Sequence, residues 1–277
     1  GSLRPLGIPV MMDRARQALW NLALSPVVES TSDPVSYGFR PYRSCWDAHA
    51  QTKVVLSRKD SPKWILDADI RKCFDTISHK WLLENTPMES KILESWLKSG
   101  FMKGGKLFNT ESGTPQGGII SPTLSNHTLN GMQQVLKKAF PRKQVGNSVS
   151  RTSYSSSINL IRYADDFIVT GRSKRQLERV KKVLSEFLLP RGLELHPDKT
   201  QIVHINKGFN FLGWTFVKGR NGYLQRLISK DAQQTHKAKL RDLVKNSGNQ
   251  PPSALIANLN PVIRGWCNYH RCCSGIW

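Results

Sequence analysis

Apolar positions along the chain switch between two periods, and the switching sketches the elements in order. Asp13 to Leu24 repeats every three or four residues, which predicts a helix burying Ala15, Ala18, Leu19 and Leu22. Lys63 to Ile70 has period two, with Trp64, Leu66, Ala68 and Ile70 on one face and Ile65, Asp67 and Asp69 on the other. Asp75 reads as the cap of a helix holding Trp81 and Leu82, and Ile92, Leu93, Trp96 and Leu97 mark another helix. Ser121-Pro122 reads as a cap and first-turn proline opening a helix to about Lys138. Leu160 to Thr170 predicts two short strands around Ala164-Asp165-Asp166. Ser173 caps a helix carrying Leu177, Val180, Leu184 and Phe187, closed by Pro190-Arg191-Gly192. Gln201 to Ile205 is a strand, and Phe209 to Val217 with Gly222 to Leu227 form a hairpin on Asn221-Gly222. Beyond Asp231 the pattern is helical, and the Ser-rich run from Ser148 to Ser157 reads as a loop. This order predicts an α+β fold: an antiparallel sheet backed by helices, with a helical C-terminal appendage.

Composition changes the picture through charge. The 277 residues carry 41 Lys and Arg against 20 Asp and Glu, a net charge of +21. The excess is uneven, +6 over residues 1–140 (18 basic, 12 acidic) and +15 over residues 141–277 (23 basic, 8 acidic). Such a surface gathers polyanions, and nucleic acid is the expected partner, contacted mostly by the second half. No run approaches twenty apolar residues, so no membrane partner is expected. Five cysteines make no disulfide framework and point to a reducing compartment. Cys267, His270, Cys272 and Cys273 have poor zinc-ligand spacing, so no zinc site is expected. Gly1-Ser2 reads as a cloning scar, after which the chain opens abruptly, as the interior of a longer protein does.

Against this basic background, carboxylates in apolar strands stand out. Asp165 and Asp166 sit between Ile161-Arg162-Tyr163 and Phe167-Ile168-Val169, while Asp67 and Asp69 share one face of another strand. Such groups repel and desolvate one another unless cations neutralise them, and hard oxygen ligands select Mg²⁺ or Mn²⁺. Spacing alone leaves Asp67 and Asp69 equal as ligands, and a lone Asp-Asp pair is more often a turn.

Several stretches carry a resemblance. Arg162-Tyr163-Ala164-Asp165-Asp166-Phe167 resembles the catalytic hairpin of reverse transcriptases. Asp69-Ile70-Arg71-Lys72-Cys73-Phe74-Asp75 is similar to the motif supplying their third carboxylate, and Gly113-Thr114-Pro115-Gln116-Gly117-Gly118 to their template-strand motif. Arg4-Pro5-Leu6-Gly7-Ile8-Pro9, Tyr37-Gly38-Phe39-Arg40, His196-Pro197-Asp198-Lys199-Thr200 and Phe211-Leu212-Gly213-Trp214 resemble group II intron-encoded reverse transcriptases, or maturases. Ile263-Arg264-Gly265-Trp266-Cys267-Asn268-Tyr269 resembles the start of their thumb.

The resemblance implies a right-hand polymerase, with part of the fingers over residues 3–62, a palm over 63–228 and the start of the thumb over 229–277. It implies that Asp69, Asp165 and Asp166, with the Ile70 carbonyl, hold two Mg²⁺ ions, for which Mn²⁺ can substitute. It further implies that Lys199 serves the leaving pyrophosphate, the alternative being a solvated lysine. Arg4 would meet the triphosphate and Gln116 the templating pair. Phe74 would lie beneath the sugar and exclude a ribose, unless it is a core residue. Phe211, Leu212, Gly213 and Trp214 would grip the primer, though aromatics alternating on a strand are more often core. Lys174, Arg175 and Arg179 form either an RNA-phosphate surface or a merely solvated face. The implied partners are intron RNA, an RNA template with its DNA primer, and deoxynucleoside triphosphates; a homodimer is compatible. The implied location is the bacterial cytoplasm, with an organelle as alternative. The alternative function is an RNA-binding splicing cofactor with little or no polymerase activity in this length of chain.

Overall fold

The computed structural model describes residues 7–103, 106–108, 110–114, 117–141, 157–219, 221–248 and 250–274. In chain order the elements are α1 (Met11–Thr31), α2 (Cys45–Leu56), β1 (Trp64–Asp69), α3 (Cys73–Thr76), α4 (His79–Asn85), α5 (Ser90–Leu97), β2 (Phe101–Lys103), β3 (Lys106–Phe108), α6 (Ser121–Leu129) and α7 (Met132–Ala139). There follow β4 (Leu160–Tyr163), β5 (Asp166–Gly171), α8 (Lys174–Leu188), β6 (Gln201–His204), β7 (Phe209–Phe211), β8 (Trp214–Lys218), β9 (Leu224–Ile228), α9 (Lys230–Lys245) and α10 (Pro252–His270).

The main sheet has the order β4-β5-β1-β6 and is antiparallel throughout. The period-two pattern of β1 decides what lies on each face. Leu66, Ala68 and Ile70 join a large core with helix residues such as Leu82, Leu124, Leu136, Leu177 and Leu184. On the opposite face Ile65 packs with Ile161, Ile168, Ala48, Leu56 and the aromatic residues of β7 and β8. That second face carries Asp67 and Asp69, so both carboxylates look away from the helical core.

Local signals set several boundaries. Ser173 accepts from Gln176 N and caps α8. Ser78, not Asp75, caps α4, its hydroxyl accepting from Trp81 N; Asp75 lies inside the short α3. The expected helix from Ser121 to Lys138 is two helices, broken at Asn130-Gly131, where Gly131 takes φ +94°. Asp33, distant in sequence, accepts from Gly131 N and Gln133 N and so opens α7. The expected strand from Phe209 to Val217 also divides. Leu212 (φ +51°) and Gly213 (φ +80°) form a tight turn, and β7, β8 and β9 make a three-stranded sheet.

Helix α1 is where periodicity misleads. Leu19 and Leu22 are 68% and 74% exposed, whereas Gln17, Leu24 and Val28 are buried. Polar bonds set this rotation: Gln17 Oε1 accepts from Ile119 N, and Asn21 Oδ1 from the Thr123 hydroxyl.

The end of α10 returns to the palm face. Tyr269 donates its hydroxyl to Leu212 O at 2.9 Å, and its ring stacks on Trp214 at 4.7 Å. Its own carbonyl accepts from Trp46 Nε1 of α2 at 3.0 Å. Three segments of the chain therefore meet at this one tyrosine. Among the described residues no helix is long and apolar enough to cross a membrane.

Candidate active site

Strand pairing brings the acidic residues together. In the register of β1 and β5, Asp69 stands opposite Asp166, and in that of β4 and β5, Tyr163 stands opposite Asp166. Ala164 and Asp165 therefore form a two-residue turn beside Asp69. Burial pushes the Asp166 carboxyl up to about 7, and Asp67, Asp69 and Asp165 add to the rise while Lys199 opposes it. Burial likewise lifts Asp67 to about 6; Gln201 Nε2 donates to it at 3.3 Å and Asp69 repels it. Asp67, which the spacing in the sequence left equal to Asp69, is thus a fourth carboxylate feeding this field.

Lys199 Nζ lies 2.6 Å from Asp69 Oδ2. His196 N donates to Asp69 O, and Arg71 N to Glu194 O, so the loop before Lys199 is tied to the end of β1 on either side of Ile70. Among the described residues no three His, Cys, Asp or Glu side chains form a ready-made metal cage. The donor chemistry nevertheless suits divalent cations: it is all-oxygen and multiply anionic, and burial together with carboxylate repulsion raises Asp166.

The Ala164-Asp165 turn is held from behind. Ala164 adopts φ +57°, an uncommon conformation for a residue with a Cβ. The fully buried Arg162 donates from Nη1 to Ala164 O at 2.9 Å and to Asn126 Oδ1 at 3.3 Å. Burial lowers its guanidinium to about 10, which leaves it charged at neutral pH, and Asp33 and Asp165 favour that charge while Arg40 opposes it. Asn126 Nδ2 donates in turn to Gly38 O at 2.9 Å. The segment before Gly38 adds an edge to β4, through Tyr37 N to Arg162 O and Arg162 N to Val35 O. A Cβ on Gly38 would stand 2.4 Å from Ala164 N, so this glycine is what allows the two backbones to touch. Arg162, Asn126 and Gly38 are missed by a reading that looks only for ligands.

Phe74 is half-buried and stands outside the apolar core, unlike its neighbours Cys73 and Ile77. Thr114 N donates to Phe74 O at 2.6 Å, and a Cβ on Gly113 would collide with that oxygen. The start of the template-strand motif therefore pins the backbone at Phe74. Gln116 and Arg4 lie outside the described residues.

The primer-side motif needs correction. Phe211 and Trp214 are buried at 2% and 0%, packed with Phe216, His49 and Tyr269, so their rings are core and cannot meet a nucleic acid. The Leu212-Gly213 turn between them is half-buried, with Leu212 packed against the same cluster and its carbonyl accepting from Tyr269. Lys174, Arg175 and Arg179 are exposed on α8; Arg172, Arg175 and Arg179 line a surface hollow of about 620 Å³ with Ser173 and Gln176.

Comparison with known proteins agrees with this geometry. The reverse transcriptase (RNA-dependent DNA polymerase) family matches residues 1–216, and the group II intron, maturase-specific domain matches residues 233–275. Protein YkfC of Escherichia coli (strain K12) is 33% identical over 84% of this chain and 68% of its own length. The group II intron-encoded protein LtrA of Lactococcus lactis subsp. cremoris is 29% identical over 81% of this chain, which spans 46% of LtrA. Among solved structures, telomerase from Candida tropicalis in complex with a fragment of telomeric RNA superposes with a TM-score of 0.52 at 15% identity, over 95% of this chain and 46% of that one. That likeness establishes the fold, a reverse transcriptase palm of helices and antiparallel sheet. The family match implies dependence on a divalent metal in general, and the maturase-specific match implies RNA as a partner. With the reverse transcriptase match covering residues 1–216 of 277 and the maturase-specific domain following it, the chain belongs to the group II intron-encoded reverse transcriptases.

Proposed function

We propose that the chain is an RNA-directed DNA polymerase that copies intron RNA into DNA, and that it also binds intron RNA as a maturase assisting splicing. The observation that carries the reading is the placement of Asp165 on a braced turn, with Asp166 and Asp69 directly opposed on adjacent strands. In this reading residues 3–62 belong to the fingers, 63–228 to the palm and 229–277 to the thumb.

Asp69, Asp165 and Asp166, with the Ile70 carbonyl, would hold two Mg²⁺ ions, or Mn²⁺ in their place. Such ions supply positive charge at both the attacking 3′-hydroxyl and the departing pyrophosphate. The remaining work falls to the chain's own residues. Arg162 and Asn126 keep the Ala164-Asp165 turn in place, so the carboxylates need little reorganisation on binding. Lys199, already beside Asp69, brings a cation and a proton to the triphosphate side. Arg4 binds the triphosphate and Gln116 meets the templating pair. Phe74 packs beneath a deoxyribose, and the Leu212-Gly213 turn lies along the primer. Lys174, Arg175 and Arg179 offer cations to RNA phosphates.

Primer extension on an RNA template tests the reading. Asp69→Asn and Asp165→Asn should each lower incorporation by about a hundredfold or more, since lost metal charge costs several kcal/mol in the transition state. RNA binding should hold or tighten, because each change removes a negative charge facing phosphate. Extension near the unsubstituted rate would refute the assignment. RNA binding by a chain that extends no primer at all would favour the splicing cofactor instead.

A further inference from the structure

Phe39 combines two features that rarely coincide. Its ring is 54% exposed, and its backbone sits at φ +56°. A bulky side chain in the left-handed region is strained, and an exposed ring recovers little of that through burial. The conformation is imposed from both sides. Gly38 abuts the catalytic turn at Ala164 and gives its carbonyl to Asn126. Arg40 is buried and donates to both carboxylate oxygens of Glu29, to Asp33 O and to Ser36 O. Phe39 is thus displayed between two anchored residues. What it meets there is Phe74, edge to face, with ring centroids 6.1 Å apart and planes 76° apart. Phe74 is itself pinned at its backbone by Thr114.

We propose that Phe39 is a positioning residue for sugar selection: it braces the Phe74 ring and so sets how closely that ring approaches C2′ of the incoming nucleotide. The proposal rests on reading Phe74 as the residue beneath the sugar. The catalytic turn, through Gly38, fixes Phe39; Phe39 fixes the free edge of Phe74; the distance from the carboxylates to the ring is thereby set by one continuous chain of contacts. Without the brace, Phe74 can swing into the space left by Phe39 and admit a 2′-hydroxyl.

The test is primer extension on an RNA template with deoxyribonucleotides or ribonucleotides, with kcat and KM measured for each, alongside thermal unfolding. Phe39→Gly removes the ring and relaxes the left-handed backbone. Discrimination against ribonucleotides should fall roughly two- to tenfold, the range of one aromatic pair. KM for the deoxyribonucleotide should rise while Tm stays level or increases. Phe39→Tyr keeps the ring and should keep the discrimination. Phe74→Val should relax discrimination further, and adding Phe39→Gly to it should change nothing more. If Phe74→Val shifts sugar preference and Phe39→Gly does not, the brace is refuted while the reading of Phe74 stands. If the two effects add, Phe39 does not act through Phe74 and the proposal fails. If Phe74→Val leaves sugar preference unchanged, the reading of Phe74 falls and the proposal falls with it.

Discussion

Gly38→Ala is the sharpest test of how the Ala164-Asp165 turn is held. The added Cβ would lie 2.4 Å from Ala164 N, 3.0 Å from Tyr163 C and 3.1 Å from Ala164 Cα. All three are backbone atoms of the turn, so no side chain can swing aside. Ordinary carbon contacts begin near 3.4 Å, so relief requires the two backbones to part by about 1 Å. Gly38 does not have a positive φ, which makes the effect steric rather than conformational. The displaced atoms adjoin Asp165 and Asp166, and a misplacement of about 1 Å in reacting groups costs on the order of a hundredfold in rate. The hydrogen bond from Asn126 Nδ2 to Gly38 O would be strained by the same movement. Single-nucleotide incorporation on an RNA template should therefore drop about a hundredfold in kcat, with RNA binding retained. Undiminished kcat in a folded Gly38→Ala protein would show that the turn tolerates displacement, and the bracing argument would be wrong.

Gly265 supplies the contrast: it lies inside α10, and a Cβ there meets nothing within 4 Å, so Gly265→Ala should raise stability by roughly 0.5–1 kcal/mol in denaturant unfolding. Arg40→Lys keeps the charge but loses the fork that joins Glu29, Asp33 O and Ser36 O, and should cost about 2–4 kcal/mol by the same measurement. His49 packs against Trp214 and Phe216, and burial, with Arg226 and Lys53 nearby, lowers its pKa to about 4. It folds neutral, so its contribution is complete above its ordinary pKa of 6.5 and is lost as pH falls toward 4, by up to about 3 kcal/mol. Unfolding free energies of His49→Gln should lack that part of the acid loss; parallel pH profiles would refute it. Affinity for structured RNA should fall steeply between 50 and 200 mM salt, on the order of a thousandfold if six to ten phosphates are contacted, and a flat response would exclude the basic half as the binding surface.

Much of the palm is legible in the sequence because its signals are local. The alternation of β1, the paired strands around Ala164-Asp165-Asp166 and the Ser173 cap need only neighbouring residues to be read, and the structure has all three. What escapes is decided at a distance. The rotation of α1 depends on Gln17 and Asn21 finding partners about a hundred residues away. The break at Gly131 falls inside an apolar pattern that continues through it; Asp33, about a hundred residues away, makes the break favourable. Tyr37 to Arg40 contributes to the family resemblance, but the task of Gly38 appears only when Ala164 is seen against it. Phe211 and Trp214 show the converse: the most prominent rings of a motif belong to the core, as their alternation on a strand already suggested.

The junction at Tyr269 bears on how the protein is made. The hydrogen bond from Trp46 to the Tyr269 carbonyl closes a loop of 223 residues, and the Tyr269 ring covers Trp214. A ribosome therefore releases α2 long before the tyrosine that joins it to the three-stranded sheet exists. Until Tyr269 emerges, Trp46 lacks its acceptor, and one face of Trp214 lacks its cover. Closure over so long a separation is slow, and the waiting aromatic surface is open to association with other chains. The palm thus completes this packing only after Tyr269 is made, and removing the end of α10 would be felt first around Trp46 and Trp214, which are far from Tyr269 in numbering but not in space.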